Sequence, residues 1–107
     1  MTVATIDDPV LTRFSQEIRQ AYGARLERLV LFGSRARGDF RPDSDYDVAV
    51  FIYQPESFDR EASRLAKVGT DLLYDMGVAI NALHFPAGAY RERTGFMAEV
   101  RLDGIDL

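Results

Sequence analysis

Two aspartates one residue apart, Asp45-Tyr46-Asp47, stand at the head of the apolar run Val48-Ala49-Val50-Phe51-Ile52. Successive side chains on a strand point to opposite faces, so Asp45 and Asp47 would share one face roughly 7 Å apart. Two bare carboxylates that close repel each other unless a cation sits between them. Magnesium suits such a pair, because it takes one or two carboxylates and fills its other positions with water and substrate phosphates. Ten residues separate Asp45 from Gly33-Ser34, which follows the apolar run Leu29-Val30-Leu31-Phe32 where a strand should end. Glycine lets backbone approach a ligand closely, and a serine opening a helical turn sits where free N–H groups and the helix dipole attract anions. Carboxylates and anion site together read as the two halves of a metal–nucleotide site.

Arg35, Arg37 and Arg41 lie between the halves. Arg35 and Arg37 could supply charge to the same phosphate oxygens, although all three suit a solvated loop face equally well. Gly38, Pro42 and Asp43 mark a turn-rich loop that brings the chain back to the second strand. A Walker phosphate loop is excluded, since Gly38 is followed by Asp39-Phe40 instead of Lys-Ser/Thr, and no G-x-G-x-x-G occurs. Asp43-Ser44-Asp45 alone would pass for an ordinary capped turn. Asp47 would not, because an acid inside an apolar strand is rarely kept without a partner.

The stretch G-S-R-A-R-G-D-F-R-P-D-S-D-Y-D-V, residues 33–48, resembles the signature of the minimal nucleotidyltransferase family, relatives of the DNA polymerase beta palm. The resemblance implies that Gly33 and Ser34 bind nucleotide phosphates, that Asp45 and Asp47 hold catalytic Mg2+ or Mn2+, and that ATP is the substrate. Arg37-Gly38 and Ser44 also match commonly shared positions. It further implies transfer of NMP, usually AMP, to an acceptor. Many stand-alone members are paired with a small helical HEPN protein in toxin–antitoxin systems, where the nucleotidyltransferase is the antitoxin and adds AMP to its partner. Transfer to a partner's hydroxyl is therefore the first expectation.

The chain departs from that pattern at one position. The family's third carboxylate belongs on a later strand, here Gly77-Val78-Ala79-Ile80-Asn81-Ala82-Leu83-His84-Phe85, whose only central polar residue is Asn81. An amide oxygen can touch a metal weakly but has no charge and cannot act as a base. Asp75 falls before this strand, at a helix end, and His84 at its far end reads as a half-buried strand residue. An inactive antitoxin that acts by covering its partner is the alternative; transfer to a small molecule is a weaker one.

These residues need a scaffold, and the rest of the sequence describes one. Asp7-Asp8-Pro9 reads as a helix start, followed by Leu11, Phe14, Ile18 and Tyr22 on one face. Strands are expected over 26–32 and 46–53, the second stopped by Gln54-Pro55. A long helix carries Phe58, Ala62, Leu65, Leu72 and Met76 and ends at Gly77. After the third strand a last helical stretch holds Tyr90, Thr94, Met97 and Val100, with a short strand at Ile105 beyond Gly104. The expected fold is α/β of the α+β kind: one domain over 1–107, with a mixed sheet of three to four strands and helices mainly on one face. At 107 residues and 47% hydrophobic content, one domain with a single core is expected, with no room for a separate acceptor domain. An exposed patch of Tyr90, Phe96, Met97 and Val100 would point to a partner.

Net charge is −4, which disfavours a long nucleic acid as ligand. Cysteine is absent and histidine single, excluding disulfides and Cys- or multi-His metal sites. Without an apolar leader or membrane-length apolar run, a cytoplasmic protein is expected.

Overall fold

The computed structural model describes residues 7–107. Helix α1 (Pro9–Tyr22) starts where Asp8 offers Oδ1 to the N–H groups of Val10 at 2.8 Å and Leu11 at 3.4 Å, with Pro9 at the first helical position. It turns into the sheet through a 3-10 turn, Gly23–Arg25. Strand β1 (Leu26–Phe32) ends at Gly33, and a single helical turn, α2 (Ser34–Arg37), follows. Next come β2 (Tyr46–Ile52), α3 (Phe58–Met76), β3 (Ile80–Pro86), a 3-10 turn at Ala89–Arg91, α4 (Gly95–Asp103) and β4 (Ile105–Asp106).

The sheet order is β3-β2-β1-β4, with β1 antiparallel to β2 and β4, and β3 parallel to β2. A parallel neighbour requires a crossover, which α3 supplies. Ser57 caps α3 by accepting from the Arg60 N–H, and Gly77, at φ +70°, ends it in the left-handed region. The registers decide what meets at the site: Phe32 lies opposite Asp47, and Asp47 opposite Asn81.

Alternation along the strands makes two cores. Leu29, Leu31, Val48, Val50 and Ile52 face α1 and α3, where Phe14 and Ile18 are wholly buried. Each such side chain contributes about 2–3 kcal/mol of burial. Val30, Ala49 and Phe51 face the other way, against Ala89, Met97 and Val100. Most helical cover is on the first face, as expected, while short α4 packs on the second.

Several expectations need correcting. The second strand ends at Ile52 and the third starts at Ile80, because Gly77 to Ala79 serve as the connection from α3. Asp45 stands just outside β2, so only Asp47 is held by the sheet ladder. Tyr90 belongs to the 3-10 turn, and Thr94 caps α4 by accepting from the Met97 N–H at 3.1 Å. Met97 and Val100 are buried against Phe51 and its neighbours, leaving Phe96 as the exposed member of the supposed patch. Among the described residues no helix is long and apolar enough to cross a membrane.

Candidate active site

The site forms where β1 ends and β2 begins. Gly33 has φ +76° and ψ −160°, a conformation essentially reserved for glycine. It is also pressed against Asp47. A Cβ added at Gly33 would collide with Asp47 Oδ2 and come within 3.3 Å of its Cγ. The missing side chain is thus the space the Asp47 carboxylate occupies, the kind of close approach that glycine allows.

Beyond Gly33 the chain makes the tight turn of α2. The N–H groups of Ala36 and Arg37 both reach Gly33 O at 3.1 Å, and Gly38, at φ +89°, donates to Ser34 O at 2.9 Å. The first N–H groups of a helical turn have no carbonyl behind them within the helix. Ser34 is half-buried at this position, beside Gly33 and the Asp47 carboxylate that packs on it.

Asn81 donates from Nδ2 to Asp47 Oδ1 at 3.2 Å. The amide therefore satisfies the carboxylate that a third acid would repel. Below this pair, on the same face, the rings of Phe32, Phe96, Phe85 and Phe51 pack with centroids 5.5–5.6 Å apart, giving an apolar floor.

Asp45 is exposed at the loop's end, next to half-buried Asp47. Hard oxygen donors with open positions suit a magnesium-type ion, and the cradle at Gly33 aims one of them. Among the described residues no three His, Cys, Asp or Glu side chains gather around a metal position, and the residue facing Asp47 across the ladder is the amide Asn81. Asp75 is engaged elsewhere, accepting from Arg13 Nη2 at 2.6 Å on the α1–α3 side. His84 pairs with Val50, well along β3 from Asn81, and packs on the Phe58 ring at 4.6 Å.

The arginines have distinct surroundings. Arg37 donates to Asp39 and to Asp103 at the end of α4, both at 3.2 Å, and these hydrogen bonds raise its proton affinity. Arg35 donates to the carbonyls of Ser44 and Pro42 and lies over the rings of Phe40 and Tyr46, 4.3 Å from each centroid. Ser44 Oγ accepts from the Arg41 N–H at 2.9 Å, so this side chain serves the loop's own turn. A feature not anticipated from sequence lies beside the site: a groove of about 660 Å3 running from Asn81 between α3 and the open edge of β3, lined by Phe58, Leu65, Leu83 and Phe96.

The Nucleotidyltransferase domain family model matches residues 11–99. The chain belongs to the nucleotidyltransferase domain family. Two proteins of Methanocaldococcus jannaschii named "Putative protein adenylyltransferase" resemble it. One is 24% identical over 98 residues, covering 92% of this chain and 95% of the relative. The other is 30% identical over 77 residues, covering 72% and 71%. Among solved structures, a "putative nucleotidyltransferase" from Sulfolobus solfataricus superposes with a TM-score of 0.64 at 17% identity, over 91% of this chain and 75% of that one. A toxin–antitoxin crystal structure with AMP-PNP superposes at 0.62 and 17% identity, over 94% and 72%. A mutant of the MntA-HpeT toxin–antitoxin gives 0.59 at 17% identity, over 96% and 72%. At that identity the likeness concerns the fold of this nucleotidyltransferase domain.

Proposed function

We propose that this nucleotidyltransferase moves AMP from ATP to a hydroxyl of a partner protein in the cytoplasm, and that the partner is a HEPN-type toxin. The observation that carries the reading is the packing of Asp47 into the space left by Gly33, which joins the nucleotide side of the motif to its metal side. The names of the archaeal relatives and the toxin–antitoxin neighbour with AMP-PNP support the direction. Gly33 and Ser34 would bind the phosphates, with Arg37 available to them if it leaves Asp103. Asp45 and Asp47 would hold the divalent cation. That ion, Mg2+ or Mn2+, would neutralise phosphate charge and hold the triphosphate in line.

In the reaction the acceptor hydroxyl oxygen forms a bond to the α-phosphorus, the bond from that phosphorus to the bridging oxygen breaks, and pyrophosphate leaves. The hydroxyl proton is released to solvent, and Asn81, a neutral amide, is not the base that takes it. Asn81 instead orients Asp47 through its Nδ2 donor. The same residue favours a second reading, in which the fold acts by binding its partner without transfer.

Pyrophosphate release in the presence of the partner, ATP and magnesium separates the two. The first reading expects release by the wild type and none by Asp45→Asn or Asp47→Asn, both still folded. Equal release by wild type and both variants would overturn the site; complex formation without release by any form would favour the binding module.

A further inference from the structure

Arg35 stands in the motif next to Ser34, where a phosphate ligand would be expected, yet its guanidinium is already occupied. Nε and Nη2 donate to Ser44 O at 3.2 and 3.0 Å, and Nη2 also donates to Pro42 O at 3.2 Å. Its planar group lies 4.3 Å from the centroid of Phe40 and 4.3 Å from that of Tyr46, so it makes two cation–π contacts. Tyr46 is itself fixed. It is 5% exposed, its OH donates to Asp8 Oδ2 at 2.8 Å, and its N–H donates to Ala79 O at 3.0 Å.

Asp45 lies between Ser44, whose carbonyl Arg35 holds, and the anchored Tyr46. Among the described residues its own carboxylate makes no hydrogen bond, and it stands outside the β2 ladder. What holds its backbone is the Ser44 carbonyl on one side and the Tyr46 ring on the other, and one guanidinium touches both. Because the Ser44 carbonyl and the Asp45 N–H share a rigid peptide plane, fixing that carbonyl fixes how the chain enters Asp45. The contacts extend to the Asp8 cap of α1, so the start of the first helix and the second motif element brace one loop.

We propose that Arg35 is a positioning residue for Asp45 and not a ligand of the nucleotide phosphates. The inference rests on Asp45 being a metal ligand only for its consequence; the loop claim stands without it. Lysine cannot replace arginine here, because the forked donors and the flat stacking surface belong to the guanidinium.

The test is hydrogen exchange across residues 39–46 in the protein without metal or nucleotide, for wild type, Arg35→Lys and Phe40→Ala. Phe40 is 45% exposed, so its removal loosens the stack without opening the core. The account expects the amides of Arg41 and Ser44 to exchange about tenfold faster in Arg35→Lys and several-fold faster in Phe40→Ala, with α1 and α3 unchanged. With Mn2+ and ATP, Arg35→Lys should lower kcat about tenfold and leave KM for ATP within about twofold, the pattern of a misplaced group. Unchanged loop exchange in Arg35→Lys would remove the clamp, and a raised KM for ATP at constant kcat would make Arg35 a phosphate ligand; either result would overturn the proposal. Loss of loop protection with no transfer by any form, wild type included, would leave the clamp standing and count against the transfer reading alone.

Discussion

Replacing Gly33 by alanine should be the most damaging single-methyl change near the site, for two separable reasons. Its backbone, at φ +76° and ψ −160°, lies in a region that costs an L residue about 1–3 kcal/mol. The new Cβ would also strike Asp47 Oδ2, with Cγ and Cβ of that residue at 3.3 and 3.4 Å. Asp47 must then leave its rotamer, at about 1 kcal/mol, and strain its hydrogen bond from Asn81, worth about 1 kcal/mol. The expected loss is about 3–5 kcal/mol, or a fall in Tm of roughly 15–30 °C for a domain of this size. Gly38→Ala is the control: its φ is +89°, but nothing lies within 4 Å of the added Cβ, so the cost should be about 1 kcal/mol. Urea unfolding of Gly33→Ala, Asp47→Ala and the double variant isolates the contact. Asp47→Ala removes the colliding atoms, so the double variant should be about 1–2 kcal/mol more stable than additivity predicts. Equal destabilisation by Gly33→Ala and Gly38→Ala, or strict additivity in the cycle, would refute the close packing at the centre of the site.

Other consequences can be checked independently. Glu61 is fully buried; burial alone would raise its pKa, but hydrogen bonds from the Glu56 N–H, Arg25 and Tyr22 overcome this and hold it at about 2, below the ordinary 4.5. A depressed folded pKa means that the stability it supplies is complete above about pH 4.5 and is lost as pH falls towards 2. Glu61→Gln should therefore cost about 2 kcal/mol at pH 7 and visibly less at pH 3, read from urea midpoints. Asn81→Asp replaces a donor to Asp47 with a like charge. It should lower Tm without metal and raise it with Mn2+ more than in wild type, with any transfer increased; a metal-insensitive Tm would count against Asp47 as a ligand. Asp103→Asn weakens one of the two exposed ion pairs of Arg37, so the urea midpoint should hardly move while ATP binding by calorimetry tightens a few-fold. Unchanged ATP affinity would remove Arg37 from the nucleotide site.

What could be read from the sequence was what local chemistry dictates. Asp8-Pro9 and Gly77 mark helix ends by capping, and the short continuous apolar runs show β1 and β2. The ten-residue spacing in the motif brings Gly33 and Asp47 together because a tight turn and one loop leave the chain few other routes. Long-range packing was not readable. Glu61 looks like a surface acid on α3, and only the fold brings it to Tyr22 and Arg25, 39 and 36 residues away. Met97 and Val100 read as available to a partner because nothing local indicates that α4 folds onto Val30, Ala49 and Phe51. Arg35 and Arg37 look alike in sequence, and their separation into a loop clamp and an exposed ion pair comes from where Ser44, Tyr46 and Asp103 lie in space. The groove beside Asn81 arises because β3 is an edge strand, a property of topology and not of residue type.

The most direct measurement is the intact mass of the protein encoded beside this one after incubation with this chain, ATP and magnesium, alongside the Asp45→Asn/Asp47→Asn double variant. The account predicts that the neighbour gains one or more AMP units with the wild-type chain and none with the variant. No gain with either, despite a stable complex, would contradict transfer and leave a nucleotidyltransferase fold that acts by binding.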